Sequence, residues 1–212
     1  MNTHFTALQK AGGFLGALVG TALLLQACSA TQVTSVWVDP EYRGNTIDNV
    51  FVVGVAKDGG LRRIFEDEFV ALFRERGINA TASYRMLPDK DLHNEKKLDS
   101  SVQKSGSDFL LMTRVIDIRR DTQYVPPEYV YVPPPHYYRG WYRYYSEAYM
   151  VSPGYTMEYK TAVLETTIYD VKADTLLWTA RSDTPVDGRV GPRTRDFAGT
   201  IMRRLAESGL IY

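Results

Sequence analysis

The only cysteine of the chain, Cys28, follows directly on an uncharged apolar run, and that junction decides how much of the sequence is left to fold. Ala11 to Leu25 is 15 residues long. A bilayer-spanning helix needs roughly 18 to 20, so the run reads as the core of a signal peptide that is removed. Taking away the first 27 of 212 residues leaves 185, enough for one well-buried domain. An exported chain with no second cysteine has no disulfide, so its stability must come from the core.

Leu25-Gln26-Ala27-Cys28 resembles the lipobox of bacterial lipoproteins. The resemblance implies that the Cys28 thiol takes diacylglycerol, that residues 1–27 are cleaved away, and that the new amine is acylated with a fatty acid such as palmitate. One acyl chain binds a membrane marginally, whereas several hold it firmly. Ser29 in place of an aspartate implies the outer membrane by the sorting rule of enteric bacteria, with the domain facing the periplasm. Residues 28–35 then read as lipidated N-terminus and tether, and 36–212 as the folded domain. Without the leader, 24 basic face 25 acidic side chains. That balance lacks the basic footprint nucleic acid requires.

The domain alternates strand and helix patterns. Thr31 to Asp39 and the apolar Val50 to Ala56 read as strands, the second covered on both faces and therefore central. Leu61, Phe65, Phe69, Leu72 and Phe73 recur at helical spacing up to Gly77, with Arg62–Glu66 and Arg63–Asp67 as i,i+4 pairs. Glu66-Asp67-Glu68 reads as a solvated face, since adjacent helical positions do not face one another. A strand over Ile78 to Ser83, a weaker helix over Asp91 to Lys104 and a strand over Phe109 to Arg119 follow. Ala162 to Tyr169 and Thr175 to Asp183 form an antiparallel hairpin, with Leu176, Trp178 and Ala180 on one side. A Pro/Gly loop leads to a last helix over Arg193 to Ser208. The fold class is α+β: one domain with a mixed, mostly antiparallel sheet and helices largely on one face.

Between the strands lies a segment of different composition, residues 121–158, with ten of the 15 tyrosines and six of the 10 prolines. Its proline runs bar it from a helix interior or a central ladder, so it reads as an insertion. Tyr and Trp bring large contact area with a polar handle. Tyr137, Tyr138, Arg139, Trp141, Tyr142 and Tyr145 are therefore the candidate residues for contacting an envelope protein, peptidoglycan or lipid headgroups.

Val36-Trp37-Val38-Asp39-Pro40, Val52-Val53-Gly54-Val55, Arg62-Arg63-Ile64-Phe65-Glu66-Asp67, Gly77 through Ala80, Gly106-Ser107-Asp108, Tyr169-Asp170-Val171 and Leu177-Trp178-Thr179-Ala180 resemble bacterial lipoproteins of the domain-of-unknown-function 4136 type. The resemblance implies a fold and an envelope location and carries over no active-site residue. The expected function is that of a non-catalytic binding or scaffolding module, with no cofactor and no metal. The mature chain holds only His93 and His136, neither in a ligand motif. The alternative, an envelope hydrolase, needs an unmarked serine or a carboxylate set such as Asp117, Asp121 and Glu165 converging in one pocket.

Cys28→Ser is expected to leave an uncleaved precursor that takes up no labelled fatty acid. Undiminished labelling would contradict the lipidation of Cys28.

Overall fold

The computed structural model describes residues 31–42, 46–56, 58–126, 128–131, 149–152 and 154–212, those in 128–131 and 149–152 as backbone. Cys28, Tyr137, Tyr138, Arg139, Trp141, Tyr142, Tyr145 and His136 lie outside the described residues.

Among the described residues, eight strands and three α-helices follow in the order β1 (Gln32–Val38), β2 (Asn49–Val55), α1 (Gly59–Glu75), β3 (Asn79–Ala82), α2 (Glu95–Ser105), β4 (Phe109–Val125), β5 (Glu128–Tyr131), β6 (Tyr149–Ser152), β7 (Tyr155–Asp170), β8 (Thr175–Val186) and α3 (Val190–Glu207). Six strands make one mixed sheet in the order β1-β8-β7-β4-β2-β3, and β5 pairs with β6 alone. β2 runs parallel to both β3 and β4, while the other three pairings in the large sheet are antiparallel. The domain is α+β, with more antiparallel than parallel pairing.

β2 is covered on both faces, as its apolar run demands, but it stands next to the edge strand β3 rather than at the middle of the sheet. Its alternating residues serve two cores. Val50 and Val52 join Phe69, Phe73, Trp178, Ile201 and Leu205, whereas Phe51 and Val53 join Leu92 and Val102. Helices α1 and α3 thus share one face and α2 takes the other. Chain direction explains the split: β2 to β3 and β3 to β4 cross the sheet in opposite senses, so two right-handed crossovers place their helices on opposite faces.

Helix α1 begins at Asp58, whose Oδ1 accepts from the amides of Gly60 (2.7 Å) and Leu61 (3.0 Å). Past its other end Gly77 takes φ +74°, a left-handed conformation that glycine adopts without strain. Glu66 is not on a solvated face; it is fully buried together with Arg62. Its Oε1 accepts from Gly54 N (2.9 Å), Arg62 Nε (2.9 Å) and Ser83 Oγ (2.7 Å), and its Oε2 accepts from Tyr84 N (2.8 Å). Arg62 also donates to Asp89 (2.8 Å) and to Ser83 Oγ (2.6 Å). Four donors on one carboxylate make its burial tolerable, as helical periodicity alone could not indicate. The expected Arg63–Asp67 pair gives way to Arg63 with Asp89 (3.6 Å) and Asp67 with the Tyr84 hydroxyl (2.8 Å).

The structure departs from the sequence reading at other places too. β4 and β7 stay paired as far as Val125↔Tyr155, so 121–125 and 155–158 belong to a regular ladder rather than to an insertion. A bulge between Ile168 and Tyr169 breaks the alternation of β8, so that Leu177 is buried beside Trp178 while Leu176 is half-buried. Helix α3 starts at Val190 and carries Pro192 in its first turn, where a missing N–H costs nothing.

Glu66→Ala is expected to lower stability by about 3–5 kcal/mol, because it strands the buried Arg62 charge. Arg62→Met combined with Glu66→Leu should recover only part of that, since the amides of Gly54 and Tyr84 still lose their acceptor. Urea unfolding midpoints of the three proteins check the order.

Candidate binding cleft and the arm beside it

At the carboxyl end of β2 the sheet and two helices enclose a cleft of about 250 Å³. The place follows from the topology. β2 sends its chain to β3 on one side while β4 lies on the other, and the ends of such strands are where open α/β sheets leave room for a ligand. Gly54, Val55 and Ala56 form one side, Thr113 and Val115 of β4 with Ala162 and Leu164 of β7 form the base, and Thr184 to Val186 of β8 continue it. Leu61 and Phe65 of α1 face Val190, Arg193, Thr194 and Phe197 of α3 across the opening.

Packing fixes these walls. The Phe65 ring lies 4.8 Å from Phe69 and 5.8 Å from Phe197, centroid to centroid, which ties the two helices together above the sheet. Gly54 permits the approach: a Cβ there would meet Phe65 Cδ1 at 2.8 Å. At the base, the hydroxyls of Thr113 and Thr166 bond to each other at 2.8 Å, and that of Thr184 bonds to Thr31 at 3.2 Å. Both hydroxyls at the base therefore have protein partners.

Charge enters only at the rim, where the lining carries Asp187, Arg189 and Arg193. Gly188, at φ +80°, turns the chain so that Asp187 Oδ2 accepts from Arg189 Nε (2.9 Å) and Nη2 (2.5 Å) and from Arg193 Nε (3.1 Å) and Nη2 (2.6 Å). Hydrogen bonds from Arg193, and then Arg189, hold the Asp187 carboxyl well below the usual carboxylate range. It is thus a poor proton acceptor at neutral pH. The cavity is smaller than the roughly 300–1,000 Å³ of pockets that enclose drug-sized ligands. Its chemistry suits an apolar chain or side chain that enters from outside, with an anion at the rim.

Asp117, Asp121 and Glu165 do not converge in one pocket. Glu165 lies on the opposite sheet face, bonded to Arg114 (2.6 Å) and near Arg181 (3.5 Å). The hydrogen bond from Arg114 holds its carboxyl below the ordinary value. Asp117 and Asp121 are exposed along β4, and Asp117 accepts from its neighbour Ile118 N (2.7 Å). His93 is exposed in the turn before α2. Among the described residues no three His, Cys, Asp or Glu side chains gather as a metal site would require, and no helix is long and apolar enough to cross a membrane.

Beside the cleft, β4 and β7 run on as a two-stranded arm. β8 accompanies β7 only to Lys160↔Val186, and five further pairs from Asp121↔Tyr159 to Val125↔Tyr155 stand alone. At about 3.4 Å per residue they project the chain roughly 17 Å beyond the sheet. Segment 126–154 begins and ends at that tip.

Sequence reasoning missed the cleft because five separated segments contribute to it. The signal it left is Val186-Asp187-Gly188-Arg189-Val190: apolar residues flanking a charged glycine turn, with Arg193 one helical turn on.

No family model matches the chain, and no curated protein matches it by sequence. Among solved structures it is similar to the PelC dodecamer from Paraburkholderia phytofirmans, at 12% identity and TM-score 0.46 over 82% of this chain and 96% of that one. It is also similar to the lipoprotein GNA1162 from Neisseria meningitidis, at 12% identity and TM-score 0.40 over 76% of this chain and 99% of that one. Both likenesses are distant.

Gly54→Ala is expected to displace the Phe65 ring and cost about 1–3 kcal/mol as an overpacked contact. Phe65→Leu in the same chain should restore much of the loss, measured by thermal or urea unfolding.

Proposed function

We propose that this protein is a lipid-anchored lipoprotein of the bacterial envelope that works by binding rather than by catalysis. Its sequence basis is the Cys28 motif and the resemblance to lipoproteins of the domain-of-unknown-function 4136 type. Outer-membrane attachment and a periplasmic domain belong to the same reading. The element that meets the partner, an envelope protein or peptidoglycan, is the Tyr/Pro segment that includes Tyr137, Tyr138, Arg139, Trp141, Tyr142 and Tyr145.

The observation that carries this reading is the β4–β7 arm. From Asp121 to Val125 and from Tyr155 to Tyr159 most side chains are exposed, Tyr124 at 63% and Tyr155 at 55% among them. A lone two-stranded ribbon is marginally stable in water. Here the long ladder roots the ribbon in the sheet, and the Tyr/Pro segment starts and ends at its tip.

Replacing residues 126–154 by Asn-Gly joins Val125 to Tyr155 through a two-residue hairpin turn. The shortened protein is expected to keep its unfolding free energy to within about 0.5 kcal/mol. Photo-crosslinking in cells from position 141 or 142 of the full chain is expected to capture a protein or a glycan strand. Capture of lipid alone would contradict the reading of the segment, and a collapse in stability on shortening would make it part of the core.

A further inference from the structure

We propose that the cleft end of the domain rests on the leaflet that holds the anchor, and that the cleft takes a hydrocarbon chain of an anionic phospholipid. This rests on the lipidation of Cys28.

The first argument is reach. Thr31 is already built into the domain: its amide donates to Asp196 Oδ2 (2.7 Å), its hydroxyl bonds to Thr184, and it is 6% exposed. The tether is therefore not 28–35 but the two residues between Cys28 and Thr31. Three residue steps span at most roughly 10 Å. Thr184, which touches Thr31, lines the cleft. A membrane that holds Cys28 thus lies within that span of Thr31, which touches the cleft wall.

The second argument is the chemistry of that end. Wall residues that a water-facing site would bury or make polar are apolar and open: Leu61 at 42%, Val115 and Val186 at 48%, Val190 at 38%. Ile118, at 54%, pairs across the ladder with the wall residue Ala162. Next along the same face stand Arg120 and Lys160, directly opposite each other on β4 and β7, with Val186 beside Lys160 on β8. Like charges so placed repel. Lys160 reaches Glu158 at 3.5 Å, which leaves the excess positive charge on Arg120. With Arg189 and Arg193 against Asp187 at the rim, this face carries four cations to two carboxylates. A surface potential from anionic lipids acts within a Debye length of about 8 Å, a range comparable to the span of the short tether. A small cleft without a free polar group at its base suits a methylene chain, which needs volume and no hydrogen bonds, while the basic rim meets the phosphate.

The test uses the mature acylated protein, its modification verified by intact mass, reconstituted in vesicles of phosphatidylethanolamine and phosphatidylglycerol. A single environment-sensitive fluorophore is attached at Val186→Cys, Leu61→Cys or, as a control at the β7–β8 turn, Lys172→Cys. Lipids with a nitroxide on the acyl chain are expected to quench positions 61 and 186 several-fold more than 172. Arg120→Glu with Lys160→Glu should remove most of that difference and its dependence on the phosphatidylglycerol content. Equal quenching at all three positions in fully acylated protein would overturn the inference and leave the anchor standing. An unmodified Cys28 would overturn both. Quenching at 61 and 186 by aqueous iodide alone, or their capture by a protein partner in cells, would likewise overturn it.

Discussion

The Glu66 carboxylate is the joint on which the rest of the domain depends. It joins three parts of the chain that are distant in sequence: Gly54 at the end of β2, Arg62 on α1, and the Ser83–Tyr84 turn after β3. Each donor reaches it from a different direction, so the helix can neither slide along the sheet nor roll on it without stranding a buried charge. Such an arrangement adds little net stability over a well-packed apolar core, yet it penalises alternative packings severely. The position it fixes is that of the first two turns of α1. Leu61 and Phe65 are on those turns, and they form one side of the cleft.

A second joint fixes the other side. Asp187 gathers Arg189 and Arg193 where β8 turns into α3, and Asp196 of the same helix holds the backbone amide of Thr31. The start of β1, the end of β8 and the start of α3 are therefore held together. This places the entry of the folded chain, the cleft and the root of the β4–β7 arm at the same end of the sheet. The outer face of the antiparallel strands is of another kind. Arg114, Glu165 and Arg181 lie across three neighbouring strands there, and Arg119 pairs with Asp183. It is a solvated, salt-bridged face of the sort an antiparallel sheet presents to water.

Much of this architecture was legible in the sequence, for reasons that differ by element. The apolar run of β2, the Phe65–Phe69–Phe73 stripe of α1 and the Phe197–Ile201–Leu205 stripe of α3 obey simple periods, because one core decides each of them. Glu66 was misread because its burial is made affordable by Ser83 and Tyr84, 17 and 18 residues away, and no local pattern records that. The sequence reading starts the insertion too early, at 121 in β4, and ends it too late, at 158 in β7, because a two-stranded ribbon exposes both faces and so erases the alternation that marks a strand. The cleft was invisible for a related reason: its wall residues read as ordinary core or loop positions until the topology brings their segments together. The Tyr/Pro segment is recognised by composition alone, and its six candidate contact residues lie outside those the structure describes.

The central claim is that a short tether and an apolar, basic end orient this domain on its membrane. Hydrogen exchange of the acylated protein, compared in detergent and on phosphatidylethanolamine–phosphatidylglycerol vesicles, tests that claim most directly. The account predicts slower exchange on vesicles at the start of α1 and across Pro185 to Val190, and unchanged exchange at the Asp170–Thr175 turn. Uniform protection, or protection centred on that turn, would contradict it.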